Sequence, residues 1–97
     1  MRTNLETELF IKSKEKWGLT SQLLMLAEEA SELSVATLHL TRNNKDKSTA
    51  WENFAEEIAD AEFMIAEMKY YFPELEQKIS KYRHQKVRRL NQLLLEV

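Results

Sequence analysis

Apolar residues recur with helical spacing along most of the chain, and the interruptions mark where helices begin and end. Leu5, Leu9 and Phe10 lead toward Trp17, and Thr3 with Glu6 forms a capping box that opens this first helix. Gly18 follows where a helix commonly ends in glycine. Thr20 or Ser21 can cap a second helix, rich in Leu, Ala and Met, over about residues 20–41. The polar run from Thr41 to Ser48 lacks periodicity and predicts a loop. Thr49 with Glu52 makes a second capping box, opening a third helix that runs to about Phe72. Pro73 disfavours helical geometry at Phe72 but suits the first turn of a fourth helix, about 73–95. Four helices with short connections predict a single all-α, bundle-like domain over residues 1–97.

Composition narrows the chemistry. The 97 residues contain one glycine and one proline, too few for the turns of a β-rich fold. Neither a Walker loop nor a dinucleotide fingerprint can be built around Gly18 alone, so phosphate would have to be held by side chains and metal. Cysteine is absent, which excludes disulfides, thiolate metal sites and a cysteine nucleophile, and fits a reducing cytoplasm. The net charge of −2 gives no general attraction to nucleic acid or to anionic membrane. No apolar run approaches the roughly 20 residues that span a bilayer. The amino terminus lacks the basic-then-apolar form of a secretory leader, so a cytoplasmic location is expected. At this size a core is feasible but small, and self-association would help stability.

The second helix contains Glu28-Glu29-Ala30-Ser31-Glu32 and the third Glu56-Glu57-Ile58-Ala59-Asp60. At about 100° per residue, Glu28, Glu29 and Glu32 share an arc of roughly 100°, and Met25, Val35 and Ala36 project with them. Ser31, Ser34 and Thr37 lie opposite. This inverts the usual amphipathic order, in which charge faces water. In the third helix Glu57 and Asp60 sit about 60° apart, beside Met64 and at the edge of an apolar arc of Phe54, Ile58, Ala61 and Ile65. Buried carboxylates persist when paired, protonated or bound to a cation, and four or five of them make a hard oxygen cage suited to Mg²⁺ or Mn²⁺. Glutamates at these spacings also occur on ordinary solvated helices.

Glu28-Glu29-x-x-Glu32 followed by Glu57-x-x-Asp60 resembles the EExxE…ExxD signature of MazG-like nucleoside triphosphate pyrophosphohydrolases, in the all-α NTP pyrophosphatase superfamily. The flanking Leu24-Met25-Leu26-Ala27 and Ala30-Ser31-Glu32-Leu33 are similar too, and the likeness covers about residues 17–90. It implies that Glu29, Glu32, Glu57 and Asp60 ligate metal, and that Glu28 supports a ligand or positions water. It also implies Mg²⁺-dependent hydrolysis of a nucleoside triphosphate to the monophosphate and pyrophosphate, in a homodimer or homotetramer. Catalysis of that kind is mostly positioning and charge neutralisation.

The fourth helix carries Lys78, Lys81, Arg83, Lys86, Arg88 and Arg89 around an apolar arc of Ile79, Tyr82, Val87, Leu90, Leu93, Leu94 and Val97. Lys86 projects into that arc and Arg89 lies at its edge, where each needs a partner or a path to water. The segment resembles the late Lys-x-x-Arg of many MazG-like sequences, which implies phosphate contacts from Lys86 and Arg89, on the same or a neighbouring subunit; a structural salt bridge to the glutamates is the other reading. Trp17 is a candidate for stacking on a nucleobase, although an indole at a helix end more often packs over a core edge. Trp51 and the methionines Met25, Met64 and Met68 read as packing residues, and Tyr70-Tyr71-Phe72 as core or subunit contact. His39 could join the acidic face, while His84 reads as exposed. Nucleic-acid binding has little support in an otherwise acidic chain.

Three alternatives stand beside this expectation. A phosphoribosyl-ATP pyrophosphatase relative is disfavoured because Asp60 is followed by Ala61-Glu62-Phe63-Met64 rather than a Tyr-His pair. A dUTPase-like preference depends on pocket shape. A non-catalytic helical interaction module retaining the acidic motif belongs to another class altogether.

Overall fold

The computed structural model describes residues 3–42 and 47–96. It holds four helices: α1 (Asn4–Trp17), α2 (Leu19–Thr41), α3 (Lys47–Tyr71) and α4 (Leu75–Leu95). The all-α expectation and the element order hold. Thr3 caps α1 in both directions of the box: the Glu6 amide donates to Thr3 Oγ1 at 3.0 Å, and the Thr3 amide donates to the Glu6 carboxylate at 2.8 Å.

Two start signals differ. Neither Thr20 nor Ser21 caps α2, whose first residue follows directly on Gly18. Gly18 sits at φ 84°, a conformation that strains side-chain-bearing residues, and its amide donates to the Lys14 carbonyl at 2.9 Å. One residue thus ends α1 and starts α2, leaving no room for a separate cap. At α3 the helix begins at Lys47, so the Thr49–Glu52 box lies inside it. Lys47 Nζ donates to the carbonyls of Leu40, at 2.9 Å, and Arg42, closing the end of α2 with a cation where helix carbonyls lack partners. Residues 43–46 of the expected loop, and Val97, lie outside the described residues. Pro73 and Glu74 form a turn ahead of α4 rather than its first turn.

The core lies where α1 crosses the α2–α3 pair. α2 and α3 pack along one another, and Phe10 of α1 is wholly buried against them, its ring 5.1 Å from that of Phe63 in an edge-to-face contact. The other buried apolar residues are small or flexible: Ala36, Ala50, Ala61, Met64 and Met68. Met64 and Met68 pack as expected, whereas Met25 is 40% exposed and Trp51 is 58% exposed, meeting only the edge of Phe54.

The bundle expectation needs correction. α4 meets α3 at its first turn, where Glu76 Oε1 lies 4.0 Å from Lys69 Nζ, and residues 80–96 are all exposed. Its apolar stripe is open to water, with Tyr82, Val87, Leu90, Leu93 and Leu94 each more than half exposed. A compact chain of this length has a radius of gyration of about 12.5 Å; here it is 16.8 Å. The accessible surface of 8061 Å² exceeds the roughly 5,800 Å² of a compact monomer of this mass by about 2,300 Å². Amphipathicity marks the face of α4 that wants a partner, and among the described residues none covers it.

Candidate metal centre

Glu29 and Glu32 stand one turn apart on α2, and Glu57 and Asp60 one turn apart on α3, on the sides along which the two helices meet. The structure brings one carboxylate oxygen from each of Glu29, Glu57 and Asp60 within 4.8 Å of one another. Glu32, one turn from Glu29, adds its charge to the surroundings of both Glu29 and Glu57. Three of the four expected ligands, Glu29, Glu57 and Asp60, therefore meet where two helices converge.

The electrostatics are those of like charges in a half-sheltered seam. Glu29 is held above the ordinary carboxylate pKa, first by burial and then by the charges of Glu32, Asp60 and Glu57. Glu57 is raised in the same way, by burial first and then by Glu32 and Asp60. Oε2 of Glu29 and Oε2 of Glu57 are both shut off from water and lack a hydrogen-bond partner. Such orphaned oxygens need a proton or a cation.

That observation tests whether a hard cation suits the site. Opposite ligands around Mg²⁺ lie about 4.2 Å apart and around Ca²⁺ about 5 Å. A set of oxygens within 4.8 Å can close on such an ion by small side-chain rotations, and Glu29, Glu57 and Asp60 could hold one. The donor set is all carboxylate, matching hard cations rather than zinc or copper.

The remaining predicted site residues are placed apart from this group. Glu28 is exposed on α2, on the neighbouring flank. Trp17 ends α1, 57% exposed, with Lys16 Nζ 5.5 Å from its ring centroid. Lys86 and Arg89 are exposed on α4, which leaves the α2–α3 pair at Pro73. The expected apolar escort of the glutamates also thins out: Ala36 is buried, but Val35 is 52% exposed. Charge is distributed unevenly among the helices. α4 has six Lys or Arg against Glu76 alone, while α2 and α3 together have nine acids against Lys47 and Lys69.

Sequence reasoning passed over Glu67, which is 1% exposed. It lies seven residues after Asp60, two turns along the same side of α3, and that spacing was the available signal. Among the described residues, no helix is long and apolar enough to cross a membrane. No protein-family model, curated protein or solved structure matches this chain.

Proposed function

We propose that the protein is a Mg²⁺-dependent nucleoside triphosphate pyrophosphohydrolase, releasing a nucleoside monophosphate and pyrophosphate, and that it acts as an assembly of at least two copies. The observation that carries this reading is the convergence of Glu29, Glu57 and Asp60 from two helices, with a buried, unpartnered oxygen on each of the two glutamates. The order Glu28-Glu29-x-x-Glu32 then Glu57-x-x-Asp60 supports the reaction class through its resemblance to MazG-like enzymes.

In this reading Glu29, Glu32, Glu57 and Asp60 hold the ion, with Mn²⁺ as a substitute. When bound, the ion neutralises phosphate charge and polarises the anhydride under attack. Glu28 reaches from the flank to orient a water and accept its proton as the oxygen–phosphorus bond forms and one phosphoanhydride bond breaks. Lys86 and Arg89 donate to phosphate oxygens, Arg89 as a planar fork and Lys86 as a point charge. Trp17 offers an exposed indole face to a base.

The assembly follows from α4. Its cations and apolar stripe complement the acidic, partly apolar surface of α2 and α3, which includes a groove lined by Leu26, Leu33, Leu38 and Ile65. The surplus surface of about 2,300 Å² per chain is what an obligate interface removes from water. A second copy laying α4 along α2 and α3 covers that surface and brings Lys86 and Arg89 toward the carboxylates.

Purified protein with Mg²⁺ and a panel of ribo- and deoxyribonucleoside triphosphates is expected to release pyrophosphate in a coupled assay. Glu32→Gln and Asp60→Asn should each lower kcat by about 10²-fold or more while helix content stays unchanged. If no triphosphate yields pyrophosphate, the reading fails in favour of a helical interaction module.

A further inference from the structure

We propose that Glu67 and Tyr71 form a proton-operated latch that holds α1 against α3, docked while Glu67 is neutral and released when it ionises. The Tyr71 hydroxyl donates to the main-chain carbonyl of Phe10, in the middle of α1, at 2.6 Å. The Glu67 carboxyl stands one turn earlier on the same side of α3, where it can reach the same hydroxyl. A phenol has one proton to give. While that proton goes to Phe10, Tyr71 has none for a carboxylate, so the buried Glu67 side chain suits the docked arrangement as the acid, which can donate to the Tyr71 oxygen.

The surroundings favour that form. Glu67 is 1% exposed, and its Oε2 has no hydrogen-bond partner. An ionised carboxylate there would leave a charge in the core with one oxygen bare. Burial is accordingly the chief influence raising its pKa, against a smaller lowering that Tyr71 exerts only by giving its proton to the carboxylate instead of to Phe10. The neighbouring helices bring no charge that reverses the balance. α3 contributes Tyr70 and Tyr71, and α2 contributes the uncharged, buried Gln22 and has no lysine or arginine. From α1 comes Lys14, whose Nζ lies 5.3 Å from the Tyr71 ring centroid, over the ring rather than the carboxyl. When Glu67 loses its proton to solvent, the carboxylate can only accept. It draws the Tyr71 proton to itself, the Phe10 carbonyl loses its interhelical donor, and hydration of the new charge requires α1 to move away.

Because Glu67 holds its proton more tightly docked than released, the docking equilibrium is full at low pH. It weakens by up to about tenfold per pH unit as pH rises above the ordinary carboxylate range toward the docked-state value. Hydrogen exchange of the full chain, without metal or nucleotide and corrected for intrinsic rates, reads this helix by helix between about pH 5 and 9. Peptides from α1 should lose protection with rising pH ahead of those from α2 and α3. Glu67→Gln, neutral at every pH and able to donate to the Tyr71 oxygen, should flatten the α1 profile. Tyr71→Phe should open α1 even at low pH. The latch is refuted if wild-type α1 protection is flat, or if Glu67→Gln keeps the wild-type slope. Loss of helix content in Glu67→Gln by circular dichroism would equally refute it, since the docked state is the neutral one.

Discussion

The exposed stripe on α4 gives the most direct quantitative test of the proposed assembly. Leu90 is 55% and Leu94 67% exposed in a single chain. Fully burying a leucine is worth about 1.5–3 kcal/mol, so covering the exposed part of each is worth about 1–2 kcal/mol. In a two-fold pair each position occurs twice, and the double substitution Leu90→Gln with Leu94→Gln removes four such contributions. The expected loss is about 4–7 kcal/mol of association energy, raising the dissociation constant about 10³- to 10⁵-fold. Glutamine is nearly as helix-favouring as leucine, and residues 80–96 of α4 are all exposed in the single chain. The variant should therefore keep its circular dichroism while losing its partner. Sedimentation equilibrium over a wide concentration range reads both species against the 11.5 kDa chain mass. The reasoning is wrong if the wild-type chain sediments as a monomer at every concentration, or if the double variant associates as tightly as the wild type.

Three further expectations follow. Mg²⁺ should raise the melting temperature of the wild-type protein by roughly 10 °C or more at a hundredfold excess over its dissociation constant; scanning calorimetry should show little of that shift in Glu57→Gln. Mixing Lys86→Ala chains with Asp60→Asn chains, each weakly active alone, should restore about a quarter of wild-type turnover if Lys86 serves its partner's carboxylates, because half the pairs are mixed and each holds one intact site; no recovery after verified exchange would place Lys86 outside a shared site. Finally, Glu29 and Glu57 have raised folded-state pKa values, so the native state binds more protons than the unfolded chain. Their contribution to stability is full below the ordinary carboxylate pKa and is lost as pH rises through the raised values. The metal-free melting temperature should therefore fall with pH, and the increment from Mg²⁺, which prefers the ionised form, should grow; a metal-free melting temperature that rises with pH above the carboxylate range would contradict the assignment.

Local chemistry was legible wherever a short stretch of chain decided it. The Thr3–Glu6 box formed as read, because both partners lie within one turn. Gly18 marked a helix end, although its φ of 84° made it the start of the next helix as well. The Thr49–Glu52 spacing misled, since α3 already includes Lys47 and Ser48 and the box lies inside the helix. Glu67 was invisible as a buried acid, since its spacing from Asp60 says which side of α3 it shares and nothing about what covers it.

By itself, the sequence determined that this protein is helical, where its helices lie within a residue or two, and that two of them share an acidic side. Scarce glycine and proline, capping residues and a 3.6-residue repeat act over a single turn and need no knowledge of the rest of the molecule. Only the tertiary structure decided that Glu29, Glu57 and Asp60 meet, that Phe10 and Glu67 are buried, and that most of α4 is left exposed. Those outcomes depend on which faces bury against which, a competition among apolar surfaces distant in the chain. The same stripe on α4 would fit a bundle or a second molecule equally well, because burial rewards removal from water regardless of whose surface does the covering.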